Sequence, residues 1–322
     1  MLGMYGIHWA HGVRGPIVWT SDGEKAADTK GETTMYVVAG VSGNTGKVVA
    51  ETLLGEKKPV RVVVRDAAKG APWKARGAEV ALTTLDDVAG LTSALRGATG
   101  AYLLLPPNMG SSDTRRENAK RTEVIAAAIA ASGVGHVVFL SSIAAQHAAG
   151  TGPIGSVHDA EAALKNSRAS VTFLRAGYFM ENFGGALYAL SQGVLPTFLD
   201  ADRAIAMVAT RDIGTTAAKA LLEGGHGHTV IELAGPREYS PRDVAAALTR
   251  ITGKTVTVQQ GPEAAMQEAL TGAGFNVHWA GLFQEMTHGL NTGHVAWEGG
   301  AARSVRGVTE IDTVLKGLVA PR

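Results

Sequence analysis

Three glycines stand at three-residue spacing, Gly40, Gly43 and Gly46, in the stretch VAGVSGNTGKVV from Val38 to Val49. The triplet lies between a run of β-branched residues and a helical pattern, the setting of the first turn in a βαβ unit. There each glycine has its own mechanical task. The first permits the tight turn, the second lets backbone approach a pyrophosphate, and the third lets helix and strand pack closely. Free N–H groups and the positive end of the helix then favour a phosphate. In a chain with 41 glycines the triplet alone says little, and its place between strand and helix is what points to a dinucleotide. A P-loop is excluded here because Gly46-Lys47 is followed by Val48 instead of Ser or Thr.

The end of the second strand decides which dinucleotide. An NAD site wants an acid there for the ribose hydroxyls, whereas a 2′-phosphate wants a cation. This chain has Arg65, with Lys69 one helical turn on. A guanidinium can bind a phosphate through a charge-assisted fork. The expected cofactor is NADP(H).

The elements that must hold these residues follow from pattern. Short β-branched runs alternate with helical stretches, which implies an α/β doubly wound parallel sheet, a Rossmann fold. Strands are expected near Tyr36 to Ala39, Val60 to Val64, Glu79 to Leu82, Ala101 to Leu105, His136 to Leu140 and Val171 to Leu174, with helices after Asn44, Ala67, Asp87, Asp113 and Val157. Beyond Arg175 the rhythm changes. A helix is expected from about Tyr178 to Ser191, strands at Ala204 to Val208, Thr229 to Leu233 and Thr255 to Gln259, a loop from Gly289 to Gly300, and a last helix near Thr309 to Leu318. Ser240-Pro241-Arg242-Asp243 combines an N-cap, a first-turn proline and a capping-box acid, so a helix starts there. The domain boundaries expected are an extension outside the core fold (1–34), an NADP-binding Rossmann domain (35–175), and a mixed region (176–322). That last region completes the sheet and forms a small C-terminal α+β substrate lobe.

Composition narrows the function classes. Lys+Arg 30 against Asp+Glu 29 gives a net charge of +1, so there is no bulk attraction for nucleic acid or an anionic membrane. The densest basic cluster, Arg115, Arg116, Lys120 and Arg121, is interrupted by Glu117 and Glu123 and reads as a solvated helix face. The absence of cysteine removes disulfides, thiolate metal sites and thiol nucleophiles, and fits a reducing cytosol, so a cytoplasmic location is expected. His226-Gly227-His228 has no third ligand nearby in sequence, and no metal is expected. The first 34 residues have neither the basic start nor the apolar centre of a secretory signal, although Trp9 and Trp19 favour docking on the body.

Gly40 to Gly46, Val62-Val63-Val64-Arg65-Asp66 with Lys69, Leu103 to Pro107, Ser141-Ser142, and LRAGYFMENF from Leu174 to Phe183 together resemble the NmrA-like group of atypical short-chain dehydrogenase/reductases. Within it the chain is most similar to NADPH:quinone oxidoreductases of the QorB type. The resemblance runs from Met35 nearly to the C-terminus and takes in Ala209 to Ile213 and Glu232 to Gly235. It implies that Gly40, Ser42, Gly43, Asn44, Thr45 and Gly46 hold the pyrophosphate and that Arg65 and Lys69 hold the 2′-phosphate. It also implies that Leu104, Leu105, Pro106 and Pro107 run beneath the adenine side and ribose. An acid that many relatives carry after the third strand is replaced here by Thr83-Thr84-Leu85.

Standard short-chain dehydrogenases pair a serine after the fifth strand with a Tyr-x-x-x-Lys, because a carbonyl that receives hydride also needs a proton. None of the six tyrosines here has a lysine four residues later. The place of that relay reads GSVHDAE, Gly155 to Glu161, and the relatives keep a histidine where His158 stands. Ketone chemistry without a positioned acid forfeits about 10²- to 10⁴-fold in rate. The expected reaction is therefore hydride transfer from NADPH to a quinone-like or other conjugated, electron-poor acceptor. Ser142 and His158 are the candidate catalytic residues, each with a bland alternative as a group satisfied within the fold. Phe179, Asn182 and Phe183 follow the sixth strand and either form a slot for a flat acceptor or, four apart on a helix, pack as core. Phe275, Trp279 and Phe283 read as core before pocket lining. The rival function is a non-catalytic NADP(H)-sensing regulator that acts through a protein partner, as the founding member of the group does. The expected partner is a small-molecule acceptor, with no nucleic acid and no membrane, and a homodimer is left open.

Overall fold

The structure, a computed structural model, describes residues 34–320. The expectations for residues 1–33, including the docking of Trp9 and Trp19, lie outside the described residues. The β-branched runs form β1 (Met35–Val38), β2 (Val60–Val64), β3 (Glu79–Leu82), β4 (Ala98–Leu103), β5 (His136–Ser142) and β6 (Ser170–Ala176). Between them lie α1 (Asn44–Gly55), α2 (Ala67–Ala75), α3 (Val88–Leu95), α4 (Thr114–Ser132) and α5 (Gly155–Leu164). Beyond β6 the chain forms β7 (Tyr178–Phe179), β8 (Val194–Thr197), β9 (Ile205–Val208), α6 (Thr210–Glu223), β10 (His228–Ala234) and β11 (Glu238–Tyr239). It ends with α7 (Pro241–Thr252), β12 (Thr257–Gln260), α8 (Met266–Gly272), α9 (Val277–Thr292), β13 (Arg303–Arg306) and α10 (Ile311–Val319).

Eight strands join in one sheet in the order β3-β2-β1-β4-β5-β6-β10-β13, every neighbouring pair parallel. A parallel sheet must be covered on both faces, and successive side chains of a strand point to opposite faces. Val37 accordingly packs with Leu91, Ile125, Phe139 and Leu164 of the α3–α5 side. Its neighbour Val38 packs with Val49, Leu53, Ile213 and Leu221 of the α1 and α6 side. Each such side chain, fully buried, stabilises the fold by roughly 1.5–3 kcal/mol. A third cluster around Met180, Leu195, Met207, Tyr239, Leu248 and Leu315 is the core of the smaller lobe, where β8 pairs with β12. Strand order reverses between β1 and β4, so the crevice at their carboxyl ends is where such a sheet takes a ligand.

Four expectations change. Residues 178–191 do not form one α-helix: Tyr178 and Phe179 pair with Met207 and Val208 of β9, and Met180–Gln192 winds as a 3₁₀ segment. The adjacent Gly184-Gly185 lowers helix propensity in its middle. β4 ends at Leu103, opposite Phe139 of β5, so Leu104 and Leu105 leave the sheet ahead of two prolines that cannot donate to a ladder. α9 runs through Gly289, where a Cβ would lie 3.0 Å from Gly150 O and 2.7 Å from a Val295 methyl. The missing side chain is a packing requirement there, and the helix stops at Gly293 in the left-handed conformation. Finally, Arg303–Arg306 is an edge strand on β10, a pairing its charged residues conceal.

Candidate active site

The glycine turn joins β1 to α1. Gly40 has φ +70°, and a Cβ on it would lie 2.8 Å from Leu104 Cδ2, so only glycine admits both the turn and the neighbouring loop. A Cβ at Gly46 would lie 2.5 Å from the carbonyl oxygens of Ala39 and Gly40, which is how α1 comes so close to β1. Gly43 faces open space apart from Gly40 O. It is also the N-cap of α1 and offers no side-chain cap, and the first turn holds no acid. In α2, α3, α4 and α9, by contrast, Asp66, Asp87, Asp113 and Asn276 cap the helix through a side-chain oxygen. The amides that begin α1 therefore present their positive end without a protein anion to meet it.

Ser42 and Asn44 are exposed beside this turn, whereas Thr45 is buried and its Oγ1 accepts from Tyr102 Oη at 2.9 Å. Of Thr45, the hydroxyl thus braces α1 against β4, and only its backbone N–H belongs to the open helix end. Burial pushes the Tyr102 phenol well above its ordinary pKa, so it remains a donor.

Arg65 and Lys69 are exposed at the end of β2 and the start of α2, and neither pairs with any described residue. Other arginines are committed: Arg61 to Glu79, Arg115 to Asp159 and Arg121 to Asp86. Asp66, next to Arg65, accepts from Ala68 N–H at 2.8 Å and so caps α2. Leu104 lies over Gly40, followed by half-buried Leu105 and Pro106 and exposed Pro107.

At the carboxyl end of β5 two adjacent serines differ. Ser141 Oγ is buried and donates to Glu161 Oε1 at 2.6 Å, while the half-buried Ser142 hydroxyl has no hydrogen-bond partner among the described residues. Glu161 also takes both ends of a fork from Arg175, Nε at 2.9 Å and Nη2 at 2.7 Å, in a pair that is 2% exposed on either side. Arg175 Nη1 reaches Glu298 as well. Burial opposes the charge on Arg175, yet the two carboxylates hold its pKa above the ordinary value. His158, on α5, donates Nδ1–H to Ala145 O at 2.7 Å, which leaves Nε2 as its free ring nitrogen.

The aromatic residues after β6 divide. Phe183 is 5% exposed and packs edge-on to Tyr178 in the lobe core, so its ring is committed there; Phe179 is half-buried and Asn182 exposed. Trp279 is buried too, against Phe283. Glu181 had no assigned role in the sequence: its carboxylate accepts from Thr210 N–H and, at 2.6 Å, from Thr210 Oγ1, so it caps α6 from another element. The signal for it was present as the acid in MENF. A cavity of about 510 Å³ opens between Asn44, Glu181, Gly184, Leu187, Thr210 and Leu318, beside the first residue of α1. A larger one, about 580 Å³, lies along β10 and the 298–302 loop and shares no residue with the glycine turn.

The chain is similar to known proteins over most of its length. Quinone oxidoreductase 2 of Escherichia coli (strain K12) is 32% identical over 267 residues, 80% of this chain and 89% of that protein. An NAD(P)H azoreductase of Xenophilus azovorans is 27% identical over 263 residues, 78% of this chain and 86% of that one. The crystal structure of the NADPH-dependent quinone oxidoreductase from Escherichia coli complexed with NADPH superposes with a TM-score of 0.76 at 27% identity, covering 89% of this chain and all of that one. A family model matches residues 32–297, from the first strand to the loop that carries Glu298, and by that match the chain belongs to the NmrA-like family.

Proposed function

We propose that this protein is an NADPH-dependent reductase that delivers hydride to a quinone-like or other conjugated, electron-poor acceptor. The observation that carries the reading is the pairing of an uncapped, acid-free α1 N-terminus with two cations, Arg65 and Lys69, that have no partner among the described residues at the end of the next strand. The residues fit the nucleotide: Gly43 leaves room for a pyrophosphate against the amides of Asn44, Thr45 and Gly46, and Asp66 is spent on α2 instead of opposing a 2′-phosphate. Leu104, Leu105, Pro106 and Pro107 form the wall beside Gly40, beneath the adenine side and ribose.

When bound, the nicotinamide supplies a hydride, two electrons with one hydrogen, and the acceptor takes up one proton besides. On the protein side, Ser142 Oγ is free to orient the nicotinamide amide or the acceptor. His158, held through Nδ1–H by Ala145 O, leaves Nε2 free to hydrogen-bond the acceptor or a water that serves it. Phe179 and Asn182 border the acceptor's place, and Phe183 supports them from the core. With no Tyr-x-x-x-Lys, acceptors that need strong proton assistance are poor substrates.

Relatives named as a quinone oxidoreductase and an azoreductase support turnover over the rival reading, an NADP(H)-sensing regulator. The deciding experiment is a paired titration with NADPH and NADH followed by steady-state assays on quinones, azo dyes and enones. NADPH should bind far more tightly than NADH and be oxidised in the presence of at least one acceptor. Tight binding with no turnover on any acceptor sinks the reductase reading, and a preference for NADH sinks the cofactor assignment.

A further inference from the structure

We propose that Asn276 and Trp279, at the start of α9, are positioning residues for the nucleotide: they hold the loop after β4 in the place where it walls the cofactor crevice. This rests on the cofactor reading above and adds to it a part of the chain more than 160 residues away from that loop.

The loop begins at Leu104, packed over Gly40, and passes through Pro106 and Pro107 before α4 starts at Thr114. Prolines have no N–H, so this stretch has few donors with which to fix itself to the sheet. Its carbonyls are instead taken up by α9. Trp279 Nε1–H donates to Asn108 O at 2.6 Å, and the two N–H bonds of Asn276 Nδ2 reach Met109 O and Ser111 O, both at 2.9 Å. One residue between them, His278, accepts at Nε2 from Thr114 N–H at 3.0 Å. Asn276 Oδ1 accepts from Trp279 N–H at 2.8 Å, so one side chain both caps α9 and fastens the loop.

The body of the same helix presses on the loop after β5. A Cβ on Gly152 would overlap Leu282 O, and Gly150 O lies against Gly289. α9 therefore touches the loops that leave β4 and β5, the strands on one side of the crevice. A helix fixed to both sets the distance between them, and the wall beside Gly40 inherits its position from α9.

Two variants test this on the full chain. N276D retains the cap, because an aspartate oxygen also accepts from Trp279 N–H, but has no hydrogen to give Met109 O and Ser111 O. W279F retains a buried ring but loses the indole donor together with part of the ring's volume. Each should weaken NADPH binding by about 2- to 10-fold in calorimetric titration, N276D more than W279F, with kcat at saturating NADPH and acceptor within about twofold of wild type. The urea midpoint of N276D should fall modestly, because two hydrogen bonds go, and its loss of NADPH affinity should exceed that of a variant destabilised as much elsewhere, such as Tyr102→Phe. NADPH affinity unchanged in N276D overturns the proposal, as does an affinity loss that only tracks a fall in the urea midpoint. If W279F does not fold, N276D decides alone. Wild-type protein that fails to bind NADPH refutes the cofactor reading instead, and the two failures are separately visible.

Discussion

The two halves of the crevice are built by opposite means. On the β1–α1–β2 side the open groups are the amides that begin α1 and two exposed cations, all between Gly40 and Lys69, without side-chain partners among the described residues. On the β5–β6 side the polar groups satisfy one another: Ser141, Glu161, Arg175 and Glu298 form one connected set, and Glu232 accepts from the N–H groups of Glu298 and Gly299. His147 and His294, from two distant loops, stack there with ring centres 4.3 Å apart. The contrast separates binding from positioning. On the reading proposed above, the groups for the nucleotide are kept open, and groups that hold elements in register are closed upon each other.

Substitutions can break or sharpen that division. The largest effect is expected from Arg175→Met, which leaves Glu161 buried and without its counter-charge. Urea unfolding should show a loss of about 3–5 kcal/mol, and adding Glu161→Met should recover much of it. A loss no greater than that of a surface change would remove the network from the account. On the open side, Arg65→Glu should weaken NADPH binding by on the order of 100-fold, with NADH within about threefold and the urea midpoint unmoved. Equal losses for both nucleotides would mean that Arg65 does not read the 2′-phosphate. Tyr102→Phe should cost about 1 kcal/mol of stability with NADPH affinity intact, because the Thr45 hydroxyl is a brace and not a ligand.

The smallest effect concerns pH. Burial, with His226 nearby, lowers the His136 pKa, and its Nδ1 has no partner among the described residues. Burial and the neighbouring His294 lower that of His147. A histidine with a depressed folded pKa binds its proton more readily when unfolded. Stability is therefore full above the unfolded value of about 6.5 and declines as pH falls below it. The urea midpoint should drop between pH 7.5 and 5.5, with a shallower slope in His136→Leu. An unchanged slope would assign the acid sensitivity to other groups.

The open side was legible in the sequence because its geometry is local: strand, glycine triplet, helix and the cation after the next strand follow one another in order. The capping box at Ser240 and Asp243 was legible for the same reason, and both of its hydrogen bonds are present. The closed side was not, since its partners are far apart in the chain, as Arg175 and Glu298 are, and no spacing rule links them. The stretch after β6 has apolar residues at helix-like intervals, and only β9 reveals that Tyr178 and Phe179, ahead of the 3₁₀ segment, are strand. Phe183 had two readings because a ring beside a crevice and a ring in a core leave the same mark in a sequence.

The Glu161–Arg175 pair bears on what this scaffold can be made to do. A Tyr-x-x-x-Lys relay placed on α5 would span one helical turn, and Val157 with Glu161 is one of the pairs there at that spacing. Engineering that change as V157Y with E161K would press an ammonium against the guanidinium of Arg175 where no water reaches. At that pair the change would need a third substitution on β6, so that Arg175 is not left facing a second cation in the interior.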